Sequence, residues 1–218
     1  AGPGAADLLT VRAARLLSEA DLVLQDALVE PDVLALAPQA RKLNVGKRAN
    51  RPSTDQAFIN RLLVRAARSR RVIVRLKGGD PMLFGRAQEE IDACRKAGVP
   101  VEIVPGVSAA VAAAAEAQAS LTRRGVARSV AFVTPSFGRG ENANADWADA
   151  AAAADSVALY MGASHAPRVR EALLARGVAA STPLVLAESA GRPEARRIAG
   201  VLADLVELAQ RAGEGPVL

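Results

Sequence analysis

The sequence predicts an α/β fold in two units, each built from alternating strands and helices. Short apolar runs such as Val72-Ile73-Val74 recur along the chain and read as buried strands. Between them lie stretches with apolar residues at a 3.6-residue period, as amphipathic helices require. Most tellingly, Val72–Val74 runs through Arg75-Leu76-Lys77 into Gly78-Gly79-Asp80-Pro81 and then into a helical pattern carrying Glu89, Glu90, Ile91 and Cys94. Open α/β sheets present their ligand sites in this way, at the carboxyl ends of strands. Adjacent glycines serve either a tight turn or the close approach of a ligand, and the spacing does not choose between them. No Gly-Lys-Ser/Thr follows, so this is not a P-loop.

Composition sets the outer bounds. A chain of 218 residues, half of them apolar, suffices for one large domain or two small ones. No run approaches the ~20 apolar residues of a membrane span, and no secretory leader is visible, so no membrane association is expected. The single cysteine, Cys94, permits no internal disulfide, which points to a reducing cytoplasm; in its helical setting it reads as a small core residue rather than a nucleophile. One histidine, His165, and no clustered Cys/His set leave no basis for a zinc site, and little for a Ser–His–Asp triad. The net charge of +5 favours an acidic partner. With aromatics at 3 % and no block of five or more consecutive Lys/Arg, that partner is expected to be a small polycarboxylate and not nucleic acid.

Taken in order, Asp7 to Thr10 opens a helix with Val11, Ala14, Leu16 and Leu17 as a buried stripe. Asp21 to Asp26 reads as a strand. Asp26, at its carboxyl end, can act as a general base or bond the next turn. Val29 to Ala37 is a short helix started by Glu30-Pro31, and Lys42 to Val45 a second strand. Gly46-Lys47-Arg48 then suits either an anionic ligand or a solvated basic turn. Ser53-Thr54-Asp55-Gln56 forms a capping box for a helix burying Phe58, Ile59, Leu62, Leu63, Ala66 and Ala67, with Arg61, Arg65 and Arg68 on its other face.

Beyond the central Gly-rich loop, Val99 to Val104 is expected as a strand and Pro105 to Ala109 as the entry to an Ala-rich helix reaching Ala117. Ser108 is placed to cap that helix, whose first amides can hold a ligand. The N-terminal domain is therefore set at 1–117, a linker without clean periodicity at 118–128, and the C-terminal domain at 129–218. In that second domain, Ser129 to Thr134, Ser156 to Tyr160, Pro183 to Ala187 and Arg196 to Ala199 read as strands. Ala148 to Ala154, Pro167 to Arg176 and Leu202 to Leu208 read as helices, and Pro135 to Ala145 as a mobile loop.

VRLKGGDPMLFGR at Val74–Arg86 closely resembles the uroporphyrinogen-III C-methyltransferases, within the class III tetrapyrrole methylases. Further matches follow in order: AGPG and LLTVRAA at Ala1–Ala14, ADLVLQDALV at Ala20–Val29, VGKR at Val45–Arg48, VPGVSAA at Val104–Ala110, LTRR at Leu121–Arg124, FVT at Phe132–Thr134 and YMG at Tyr160–Gly162. The resemblance implies two α/β domains with the active site in the cleft between them, a homodimer, and methyl transfer from S-adenosylmethionine to C2 and C7 of uroporphyrinogen III. The product would be precorrin-2, the precursor of sirohaem and cobalamin. Carried over residue by residue, it implies cofactor contacts from Pro3, Gly78, Gly79, Asp80, Leu83, Ser108, Ala109, Met161 and Ala190. It further implies Asp26 as proton acceptor and Lys47 as proton donor. Lys47 and Arg48 are suited to hold a substrate with eight carboxylates.

Departures from the family pattern are also legible. Relatives have FGRGGEE where this chain has Phe84-Gly85-Arg86-Ala87-Gln88-Glu89-Glu90, and AYAGIPLTHR where it has Ala115 to Arg124. The family strand before Gly-Pro-Gly is missing, and relatives continue past Leu218, so a trimmed chain is expected. The alternatives to uroporphyrinogen methylation are a sister methylase acting on a later precorrin, and a non-catalytic relative that binds nucleotide or tetrapyrrole. A basic nucleic-acid-binding protein is more distant.

Overall fold

A computed structural model describes residues 1–46, 55–69, 72–135 and 146–218. Two compact units divide it, Ala1–Ser108 and Ala109–Leu218.

The first unit is built on β1 (Leu22–Gln25), whose Leu22, Val23 and Leu24 are all buried. A continuous apolar run is what a strand covered on both faces needs. β2 (Arg41–Asn44) and β3 (Ile73–Leu76) pair with β1 on either side, both parallel, in the order β2-β1-β3. Alternation along the strands sorts their side chains by face. Val23 and Leu76 pack with Leu17 of α1 (Val11–Ser18) and Val33 of α2 (Pro31–Ala35). Leu22 and Leu24 pack on the opposite face with Ile59 and Leu63 of α3 (Gln56–Ala67) and Cys94 of α4 (Ala87–Lys96). The helices start where their caps allow. The Thr10 side chain accepts from Ala13 N at 3.2 Å and caps α1, while Pro31 opens α2 at a position where its missing N–H costs nothing.

Three expectations are revised here. The cap of α3 is Asp55, whose side chain accepts from Ala57 N at 3.1 Å; Ser53 and Thr54 of the expected capping box lie outside the described residues. Phe58 is 50 % exposed, because Ile59, Leu63 and Ala66 form the inward stripe and Phe58 sits about 100° away from Ile59 around the helix. Val99 to Val104, expected as a strand, joins no ladder among the described residues. It and β3 both line a cavity of about 490 Å³, and a strand is defined only by a neighbour within hydrogen-bonding distance.

In the second unit, β4 (Val130–Val133) and β5 (Ser156–Leu159) form a parallel pair, and β6 (Pro183–Glu188) and β7 (Arg196–Val201) an antiparallel one. Val133 is buried with Trp147, Ala148 and Ala151 of α6 (Asp146–Ala153) and Val169 of α7 (Ala166–Leu174). Leu186 and Ile198 of the hairpin pack on Leu208 of α8 (Leu205–Arg211). The Ala-rich α5 (Ala109–Glu116) belongs to this unit, since Ala113 is buried against Ala187 and Ala190. The division thus falls between Ser108 and Ala109, ahead of the boundary read from the sequence, and 118–128 lies within the second unit. Residues 136–145, most of the expected mobile loop, lie outside the described residues.

Candidate functional site

In the first unit the Gly-rich loop follows β3 directly and is held by backbone and carboxylate together. Gly79 has φ +62°, a left-handed conformation that suits glycine, and its N–H donates to Gly2 O at 2.7 Å. That bridge brings Gly2-Pro3 alongside the loop. Asp80 faces inward along the chain: Oδ1 accepts from Met82 N at 2.8 Å and Oδ2 from Gly106 N at 2.9 Å. Gly106 comes so near the loop that a Cβ there would lie 2.4 Å from Gly79 O. Leu83 N donates to Asp80 O at 3.3 Å. Pro3, Gly78, Gly79, Asp80 and Leu83 are therefore one cluster, with Ser108 two residues beyond the Gly106 contact. Gly78 is exposed, and a Cβ on it would meet nothing closer than Leu28 Cβ at 3.9 Å. The chain is thus open at Gly78, the point where a ligand could approach backbone.

Asp26 follows β1 and is anchored to the end of β3, its N–H donating to Leu76 O at 3.1 Å. In the parallel register Leu24 lies opposite Arg75. Leu22, Leu24 and Asp26 therefore share a face with Ile73, Arg75 and Lys77. At the carboxyl end of this face the apolar layer gives way to charge. Arg75 NH2 donates to Asp26 Oδ1 at 2.5 Å, and Arg75 Nε to Glu90 Oε1 at 3.1 Å. Lys77 Nζ and Gln56 Nε2 donate to the same Glu90 oxygen, each at 3.1 Å. Glu90 and Lys77 are almost fully buried. Burial, reinforced by the charge of Arg75, pushes the Lys77 ammonium below the usual lysine range, although Glu90 and Asp26 pull the other way. Two cations and two carboxylates balance, as buried charge must.

In the second unit α5 ties two loops together. Ala110 N donates to the Tyr160 hydroxyl at 3.2 Å, and Met161 follows at φ +56°, half exposed. Toward the other end of α5, Ala113 packs on Ala190, and Glu116 accepts from Gly191 N at 2.7 Å through Oε1. Ala109, Met161 and Ala190 are thus linked through a single helix. Glu116, one of the departures from the family pattern, is what holds the Ala190 loop.

Lys47 and Arg48 lie outside the described residues. Cys94 is buried in the core, and burial together with the Glu90 charge pushes its thiol up, away from the reactive thiolate. The sequence reading did not single out Arg75, Glu90 and Gly106 as parts of the site. Arg75 carried a signal, a cation at an alternating position of an otherwise apolar strand. Glu90 and Gly106 gave none that could be told from ordinary helix and loop residues, because their partners are distant in the chain.

The family model described as "Tetrapyrrole (Corrin/Porphyrin) Methylases" matches residues 1–206. The chain is 40 % identical over 220 residues to the uroporphyrinogen-III C-methyltransferase of Paracoccus denitrificans, covering all of this chain and 77 % of that one. It is 43 % identical to siroheme synthase 1 of Serratia proteamaculans over 97 % of this chain and 44 % of that protein. It therefore spans about half the length of the curated siroheme synthases it matches. Among solved structures, the uroporphyrin-III C-methyl transferase of Thermus thermophilus complexed with S-adenyl homocysteine superposes with a TM-score of 0.86 at 38 % identity, covering 99 % of this chain and 91 % of that one. On the strength of the family match over nearly its whole length, together with these relatives, this chain belongs to the tetrapyrrole (corrin/porphyrin) methylases.

Proposed function

We propose that this chain methylates uroporphyrinogen III at C2 and then C7, with S-adenosylmethionine as donor, to give precorrin-2 for sirohaem or cobalamin. The observation that carries the reading is the match over all of this chain and 77 % of the Paracoccus enzyme named for this activity, supported by the Thermus structure named for its bound S-adenosylhomocysteine. When bound, the donor supplies a methyl group on a sulfonium.

The chain's own part is to position and to move a proton. In the first unit we assign cofactor contacts to Pro3, Gly78, Gly79, Asp80, Leu83 and Ser108; in the second, to Ala109, Met161 and Ala190. Asp26 is assigned the proton released as the methylated macrocycle rearranges. Its side chain is 30 % exposed, and only Oδ1 is engaged by Arg75 among the described residues. Lys47 is assigned the return of a proton, and with Arg48 the binding of substrate carboxylates. A cytoplasmic homodimer completes the proposal, and sedimentation at working concentration checks the dimer.

The activity is tested by incubating the protein with S-adenosylmethionine and enzymatically made uroporphyrinogen III. A red-fluorescent oxidised product carrying two added methyl groups is the expected outcome. S-adenosylhomocysteine binding without turnover would support the non-catalytic relative instead, and turnover confined to a later precorrin the sister methylase.

A further inference from the structure

We propose that Arg75 is a positioning residue for Asp26: its guanidinium, fixed by Glu90 and by two strand-end carbonyls, holds one carboxylate oxygen so that the other is turned to the reacting macrocycle. This rests on Asp26 as the proton acceptor proposed above.

The geometry around Arg75 goes beyond an ion pair. Nε donates to Glu90 Oε1 at 3.1 Å, NH1 to both Leu24 O and Leu76 O at 3.2 Å, and NH2 to Asp26 Oδ1 at 2.5 Å. Three nitrogens of a planar group are thus committed in three directions, which leaves the guanidinium no rotational freedom. Leu24 O and Leu76 O belong to adjacent parallel strands, so Arg75 reads the relative position of β1 and β3 and transmits it to Asp26. Glu90 is itself over-determined. Its Oε1 accepts from Arg75, from Lys77 on the loop side and from Gln56 on α3. The carboxylate is therefore placed by four elements at once, while Asp26 Oδ2 accepts no hydrogen bond among the described residues.

A lysine at 75 would keep the charge but could not span the same partners, since an ammonium on a flexible stem has no fixed fork. A structural role alone would be served by the Arg75–Glu90 pair, which ties α4 to β3. The contact to Asp26 is the part that a structural role does not need. Small misplacements of a reacting group cost on the order of 10²-fold in rate.

The test is a double-mutant cycle between Arg75→Lys and Asp26→Asn, with kcat, KM for uroporphyrinogen III, S-adenosylhomocysteine affinity and melting temperature measured for every variant. Arg75→Lys is expected to lower kcat by roughly 10–100-fold, with KM and cofactor affinity left close to wild type. The double variant should be no slower than Asp26→Asn alone, because a misplaced base costs nothing once the base is gone. Additive losses in the double variant would overturn the inference while leaving Asp26 as the base, as would wild-type kcat in Arg75→Lys or a kcat loss that follows cofactor affinity. A near-wild-type Asp26→Asn would instead remove the reading of Asp26, and the positioning role with it. If Arg75→Lys does not fold, the same cycle is run with Glu90→Gln, which keeps an acceptor oxygen for Arg75 and loosens its hold, and the same outcomes decide.

Discussion

Asp80 and Gly106 are joined by a single hydrogen bond, Gly106 N to Asp80 Oδ2 at 2.9 Å, and through it the Gly-rich loop is fastened to a segment 26 residues further on. The other Asp80 oxygen accepts from Met82 N at 2.8 Å, so one carboxylate both shapes its own turn and holds a distant one. Asp80→Asn keeps the shape but offers only one acceptor oxygen, so one of the two N–H groups faces an amide donor. Losing a hydrogen bond to a charged group costs about 1.5–3 kcal/mol. The expected result is a lower melting temperature with weaker S-adenosylhomocysteine binding by calorimetry. Unchanged values for both would show that the two amides are satisfied without Asp80.

Gly106 and Gly79 are expected to fail alike, and Gly78 differently. A Cβ at Gly106 would lie 2.4 Å from Gly79 O, so Gly106→Ala must displace the loop, lowering both stability and cofactor affinity. Gly79→Val adds a branched side chain where φ is +62°, with the same double loss. Gly78 has open space around it, so Gly78→Ala should keep its stability within about 0.5 kcal/mol yet bind S-adenosylhomocysteine more weakly. Full affinity in Gly78→Ala would place the ligand elsewhere.

Replacing Lys47 and Arg48 together by Ala should raise KM for uroporphyrinogen III and flatten its dependence on ionic strength, since screening acts on the charges removed. Initial rates across a salt series check this. If neither KM nor its salt response changes, these two cations belong to a solvated turn.

Asp155 provides a pH-dependent test of the second unit. Its Oδ2 accepts from Arg128 N at 2.8 Å, Ser129 N at 2.9 Å and Ser129 Oγ at 2.8 Å, and these bonds, the Arg128 amide foremost, hold the carboxyl below its usual value of 3.8. A carboxyl whose folded pKa is depressed contributes stability that is present above the unfolded value and lost as pH falls through the folded one. Wild type should therefore melt above Asp155→Asn at neutral pH, with the gap narrowing as the pH drops below about 4. Thermal melts of both proteins from neutral to acid pH check it, and a gap independent of pH would assign the difference to shape alone.

Local chemistry made much of this protein legible in the amino-acid order. The 22–25 and 73–76 strands, the helices that follow them and the Gly78-Gly79-Asp80 turn are specified by neighbours close in the chain: apolar runs, a proline at a helix start, and a glycine where φ is positive. Asp26 and the loop could be singled out because strand ends are where such folds place their sites. Tertiary structure decided what depends on partners far away in the chain. Val99 to Val104 has strand-like composition but joins no ladder among the described residues, because pairing belongs to two segments and not to one. The Ala-rich 109–116 helix carries too little pattern to show its allegiance, and only the burial of Ala113 against Ala187 and Ala190 assigns it to the second unit. Glu90 looks like any first-turn glutamate until folding sets it on Arg75 and Lys77. That contact exists because parallel register and helix packing bring residues 15 and 13 positions apart onto one oxygen, a coincidence in space that no local periodicity encodes.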